Sequence, residues 1–183
     1  DLFRAISARL GDREIIAEDL GYMTDSVKRL VEESGYPNMK VIEFAFDQRD
    51  TGNASDYLPH NYTNNCVVYT GTHDNMTLQG WYHSLSPASK TFALRYLGNA
   101  YTPEGEIHWD YIRLALASVA KLAVIPVQDY LGLGNWARTN EPSTLGKNWR
   151  WRMKKDDLTP ELIAKCREMA EIYGRAKKVQ ADL

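Results

Sequence analysis

Two apolar, strand-like runs in this chain end the same way, on acidic residues, and that pattern restricts the fold more than any other feature. The first is Ile15-Ile16-Ala17-Glu18-Asp19-Leu20-Gly21, and the second is Cys66-Val67-Val68-Tyr69-Thr70-Gly71-Thr72-His73-Asp74-Asn75. A strand covered on both faces reads as a continuous apolar run. In β/α barrels the reacting groups sit at the C-terminal ends of such strands. A carboxylate at the tip adds nothing to a core, so it is either paired or placed for chemistry. Met39–Asp47 and Leu122–Asp129 follow the same rule, each strand-like and each ending in an acid.

Helical segments alternate with these runs. Residues 2–10 read as the tail of an amphipathic helix that stops at Gly11, and Thr24 and Gly35 read as the two caps of a helix over 25–34. Ser86-Pro87 opens a helix to Gly98, a second covers about 109–120, and Thr159-Pro160 opens a last one to roughly 178. Strand–helix alternation predicts a parallel sheet with crossover helices. Four such units predict half of an eight-stranded barrel, a single unit over 1–183. The turn-rich stretch 48–65 is long for a connection, a length usually reserved for function.

The charge balance of −2 over 183 residues leaves no basic surface for nucleic acid or an anionic membrane. No apolar run approaches the ~20 residues needed to span a bilayer, and no signal peptide opens the chain. Cys66 and Cys166 lie far apart without metal-type spacing, which predicts two reduced thiols and a cytoplasmic location. His73 has no second histidine at ligand spacing, so no metal is expected. The opening Asp1-Leu2-Phe3-Arg4 enters mid-helix, as expected for a piece of something longer.

Several ordered motifs carry a resemblance. They are Ile16-Ala17-Glu18-Asp19-Leu20-Gly21, Met39-Lys40-Val41 with Phe44-Ala45-Phe46-Asp47, His60-Asn61-Tyr62, and Tyr69-Thr70-Gly71-Thr72-His73-Asp74-Asn75. Asp129-Tyr130-Leu131-Gly132-Leu133-Gly134, Arg138-Thr139-Asn140-Glu141-Pro142 and Gly146-Lys147-Asn148-Trp149-Arg150-Trp151-Arg152 extend it. Together the set resembles the 4-α-glucanotransferases, the amylomaltases or disproportionating enzymes of glycoside hydrolase family 77. It covers nearly everything from Glu14 to Arg152.

The resemblance implies a (β/α)₈ TIM barrel, of which this α/β chain would be the C-terminal half, strands five to eight. It also implies retaining transfer of α-1,4-glucan segments between maltooligosaccharides, with no cofactor. Glu18 matches the family's general acid/base, and Asp74 the third carboxylate, which grips sugar hydroxyls. His73, Asn75, Asp47 and Asn140 match substrate-binding positions. The family's nucleophilic Asp belongs to an Arg-x-Asp-His-type motif that these residues lack, so the chain alone is expected to be inactive. Retaining chemistry needs two carboxylates, about 5–5.5 Å apart.

Plainer readings of the same residues stay open. Glu18 would also cap its following turn, Asp74 would form an Asx turn, and Asp47 and Asp129 would satisfy loop amides. Arg138, Arg150 and Arg152 read first as loop braces. A non-catalytic α-glucan-binding or scaffold domain is the alternative function, and a complete small α/β enzyme of another kind is a third. Half a barrel leaves two sheet edges unpaired, which predicts self-association.

Overall fold

The computed structural model describes residues 2–11, 13–21, 23–46 and 54–176. Helices α1 (Leu2–Leu10) and α2 (Asp25–Ser34) precede strand β1 (Asn38–Val41), which runs straight into the short helix α3 (Ile42–Phe46). Two 3₁₀ turns lead to β2 (Cys66–Tyr69), followed by α4 (Leu78–Ser84), α5 (Pro87–Leu97), α6 (His108–Ala117) and β3 (Leu122–Val124). Helices α7 (Val127–Tyr130) and α8 (Pro160–Ile172) complete the described chain. The sheet is parallel with order β1-β2-β3, Asn38 standing opposite Cys66 and Val67 opposite Leu122. Among the described residues no helix is long and apolar enough to cross a membrane.

The sequence predicts four strands, and among the described residues the sheet has three. Of the expected strand over 14–18, only Ala17 pairs, in a parallel bridge to Asn38 with its N–H on the Pro37 carbonyl at 2.9 Å. The cause lies two residues on. Asp19 takes the Met39 N–H on Oδ1 and the Asn38 amide on Oδ2, both at 2.9 Å, so a side chain occupies the ladder where a strand carbonyl would continue it.

The run 39–47 is strand only to Val41, because Ile42–Phe46 coil into a helix that buries Ile42, Ala45 and Phe46. Its terminal Asp47 lies outside the described residues. The run 122–129 stops at Val124, since Pro126 has no N–H to give a ladder and stands at the start of α7. Helix α4 has no counterpart in the sequence reading.

The caps at the other helices form as the residues dictate. Thr24, Ser86 and Thr159 accept N–H bonds from Val27, Ser89 and Leu162 respectively, and Gly98 ends α5 at φ 68°. The core gathers Phe46, Trp81 and Tyr111, whose rings meet at centroid distances from 5.1 to 6.3 Å. Of these, the wholly apolar Phe46 contributes roughly 1.5–3 kcal/mol by its burial. Beyond α8, the Arg175 guanidinium donates to the carbonyls of Leu116, Ser118 and Ala120 at 3.0, 2.8 and 2.8 Å. Three carbonyls at the C-terminal end of α6 are thereby satisfied.

Candidate active site

The site is built on the loop that leaves the C-terminal end of the middle strand. Asn75 closes this loop, its Oδ1 accepting the Thr72 N–H at 2.9 Å and the Thr72 hydroxyl at 2.7 Å. The Asp74 N–H then donates to Thr72 Oγ1 at 3.2 Å. The turn is therefore an ST turn on Thr72, locked from behind by Asn75, and not the Asx turn on Asp74 that is one of the plain readings of Thr-His-Asp-Asn. The Asp74 carboxylate itself points elsewhere.

That carboxylate meets a second loop, the one that follows β3. Asn140 Nδ2 donates to Asp74 Oδ1 at 2.6 Å, and the Asn140 backbone N–H donates to the His73 carbonyl at 3.0 Å. Arg138 ties the two loops together, Nη2 to the Asp74 carbonyl at 2.6 Å and Nε to the Asn140 carbonyl at 2.7 Å. His73 Nε2 stands 3.4 Å from Asp74 Oδ1. His73 and Asp74 are both open to solvent, with side-chain exposures of 59% and 48%. The result is a carboxylate and an imidazole side by side at a wet surface, oriented by an amide and braced by a guanidinium.

Beneath the two loops lies Asp129, which is 1% exposed. Its Oδ2 accepts the Thr70 hydroxyl at 2.6 Å and its Oδ1 the Leu78 N–H at 2.8 Å. Burial pushes its carboxyl up to about 6, against the pull of these two hydrogen bonds. Of the two readings of Asp129, the structure shows the amide-satisfying one: it joins the end of β2 to the first turn of α4. Gln128 braces the following loop, donating to the Ala137 carbonyl at 3.2 Å and to Thr139 Oγ1 at 3.1 Å.

The structure thus brings together Asp74, His73, Asn75 and Asn140. Glu18 stands apart. It follows Ala17, which is paired to Asn38, itself paired to Cys66, so two strand spacings, or ~10 Å, separate that segment from β2. Glu18 is exposed, and the neighbouring acid that is held is Asp19. Among the described residues no three His, Cys, Asp or Glu side chains gather as a metal site. Sequence reasoning took Arg138 as a brace, which it is, but did not link it to Asp74. It also passed over Trp149, whose ring lies 5.2 Å from that of His73. The only signal for Trp149 was its place in the Gly146–Arg152 motif.

A small parallel sheet with many helices, and a polar cluster of Asp74, His73 and Asn140 beyond the C-terminal end of its middle strand, defines an α/β protein with polar groups where β/α enzymes place their sites. The family is more specific. The sequence model of the 4-alpha-glucanotransferases, glycoside hydrolase family 77, matches residues 1–159, and the chain belongs to that family. A 4-alpha-glucanotransferase of Clostridium butyricum is 46% identical over 178 residues, covering 96% of this chain and 35% of the relative. One from Thermus thermophilus is 46% identical over 179 residues, with coverage of 95% and 35%. The solved amylomaltase of Streptococcus agalactiae, in complex with acarbose, superposes with a TM-score of 0.87 at 40% identity. That match covers 96% of this chain and 35% of the amylomaltase. The chain therefore spans about a third of the length of the relatives it matches.

Proposed function

We propose that this chain supplies the acid/base and third-carboxylate side of a 4-α-glucanotransferase site. The parent reaction is retaining transfer of α-1,4-glucan segments between maltooligosaccharides, in the cytoplasm. Residues 1–183 then act as one unit, the half-barrel of strands five to eight, a reading that the parallel bridge of Ala17 to Asn38 supports.

The observation that carries the reading is the Asp74–Asn140–His73 cluster. Asn140 occupies one carboxylate oxygen of Asp74, which fixes the plane of the group and aims it at a neighbouring pair of sugar hydroxyls. His73 and the Asn75 amide add donors at the same place, and the family resemblance gives Asp47, outside the described residues, a role at the donor sugar. Glu18 protonates the departing glycosidic oxygen and later takes the proton of the incoming 4-hydroxyl.

The nucleophile must come from residues outside this sequence, so the chain alone makes no glycosyl-enzyme. Incubation with maltotriose should yield neither glucose nor longer oligosaccharides. Their appearance, abolished in the Asp74→Asn chain, would overturn the assignment of the missing nucleophile.

A further inference from the structure

We propose that Trp149 is a stacking platform for a neutral pyranose ring of an α-glucan, beside the carboxylate of Asp74. This rests on the function proposed above. The indole lies against the His73 imidazole with centroids 5.2 Å apart and planes 36° apart, yet Trp149 as a residue is 57% exposed. One side of the ring is therefore partnered, and much of the rest faces water.

The backbone holds this arrangement firmly. Trp149 sits at φ 63°, a left-handed conformation that residues with a β-carbon seldom adopt. Its N–H donates to the Thr139 carbonyl at 2.6 Å, and its carbonyl accepts Arg152 Nη1 at 2.9 Å. The preceding Asn148 takes the Glu141 N–H on its side chain at 2.9 Å and donates to the Thr144 carbonyl at 3.1 Å. Thr139 and Glu141 flank Asn140, the residue bonded to Asp74. The indole and the carboxylate are thus tied into one loop system, so their spacing is set before any ligand arrives.

An uncommon backbone conformation that delivers a large, exposed aromatic ring beside a polar cluster points to a ligand, because folding alone gains little from it. The ligand chemistry follows from the two surfaces. A flat π-face accepts the axial C–H face of a pyranose, while the adjacent carboxylate and imidazole accept and donate at its hydroxyl rim. Neither surface calls for charge on the ligand.

The experiment is a titration of the 183-residue chain with maltoheptaose, read by the five tryptophan indole N–H signals in ¹⁵N NMR. The Trp149 signal, assigned as the one lost in Trp149→Phe, should shift saturably. Trp149→Ala should weaken binding about 10- to 100-fold, and Trp149→Phe, which keeps a ring, by only about threefold. No shift of the Trp149 signal up to about 10 mM ligand overturns the proposal. So does wild-type affinity in a folded Trp149→Ala chain. If Asp74→Asn nonetheless binds weakly, the Asp74 assignment survives that failure. Loss of affinity in Trp149→Ala with none in Asp74→Asn supports the platform and removes Asp74 from the site.

Discussion

Replacing Asp129 by Asn should reverse the order of stability between wild type and variant as pH rises. In the folded chain burial keeps the Asp129 proton on up to about pH 6, whereas the ordinary value is 3.8. The contribution of this group is fully present below 3.8, where both states are protonated, and is lost as pH rises through about 6. At ~1.36 kcal/mol per pH unit that separation amounts to about 3 kcal/mol by neutral pH. Asn removes the titration and keeps most of the bonding. Its Oδ1 still accepts the Leu78 N–H, and its Nδ2 donates to Thr70 Oγ1, for an exchange cost of about 1 kcal/mol.

The variant should therefore move from slightly below wild type at about pH 4 to about 2 kcal/mol above it at about pH 8. His108 titrates in the opposite sense. Burial pulls its imidazole down to about 4 from 6.5, so its contribution is present above 6.5 and lost as pH falls toward 4. Both chains share that effect, and the difference between them isolates Asp129. Urea unfolding at the two pH values, followed by tryptophan fluorescence, provides the measurement. A stability difference that stays constant within about 0.5 kcal/mol would refute the buried-charge reasoning.

Gly80 is the second test. An alanine inside a helix normally gains about 1 kcal/mol over glycine. Here a methyl group would collide with the Asn135 side-chain amide, whose Oδ1 accepts the Thr77 N–H at 3.3 Å. Gly80→Ala should lower the melting temperature, and adding Asn135→Ala should recover part of the loss; an increase in the single variant would show that the loop yields freely. The third concerns the sheet edge, where Leu122 and Val124 are 48% and 37% exposed on β3. Sedimentation velocity on the chain should show a species heavier than one chain, and a single monomeric boundary at all concentrations would remove the self-association reading.

What could be read in advance was whatever local chemistry decides. Thr24, Ser86-Pro87 and Thr159-Pro160 cap helices because their hydroxyls reach N–H groups three residues on, a relation written in the sequence itself. Cys66–Tyr69 is a strand because both of its faces are covered, and its apolar run says so. The failures came where a distant or polar group overrides local preference. Asp19 ends the first strand after Ala17 by replacing a ladder carbonyl, and the core draws Ile42–Phe46, β-favouring by composition, into a helix. Helix α4 went unseen because Gly80 and a mixed polar surface weaken its signal, although Thr77 caps it. At the site, Asp74 was legible as a strand-tip acid. Its contacts with Asn140, Arg138 and, through His73, Trp149 were not, because they join loops more than sixty residues apart.

The three hydrogen bonds from Arg175 bear on the order in which this part of the chain can be finished as it is made. The carbonyls they satisfy run from the last turn of α6 to Ala120, just before β3, up to 59 residues earlier. Just past them, the Lys121 N–H bonds both Asn64 and Cys66 carbonyls at 3.0 Å, which is where β3 enters the sheet. Until Arg175 emerges from the ribosome, the end of α6 faces water and that entry point is held from one side only. The last strand should thus be the last to gain full protection from hydrogen exchange, even though its own residues have long since been synthesised.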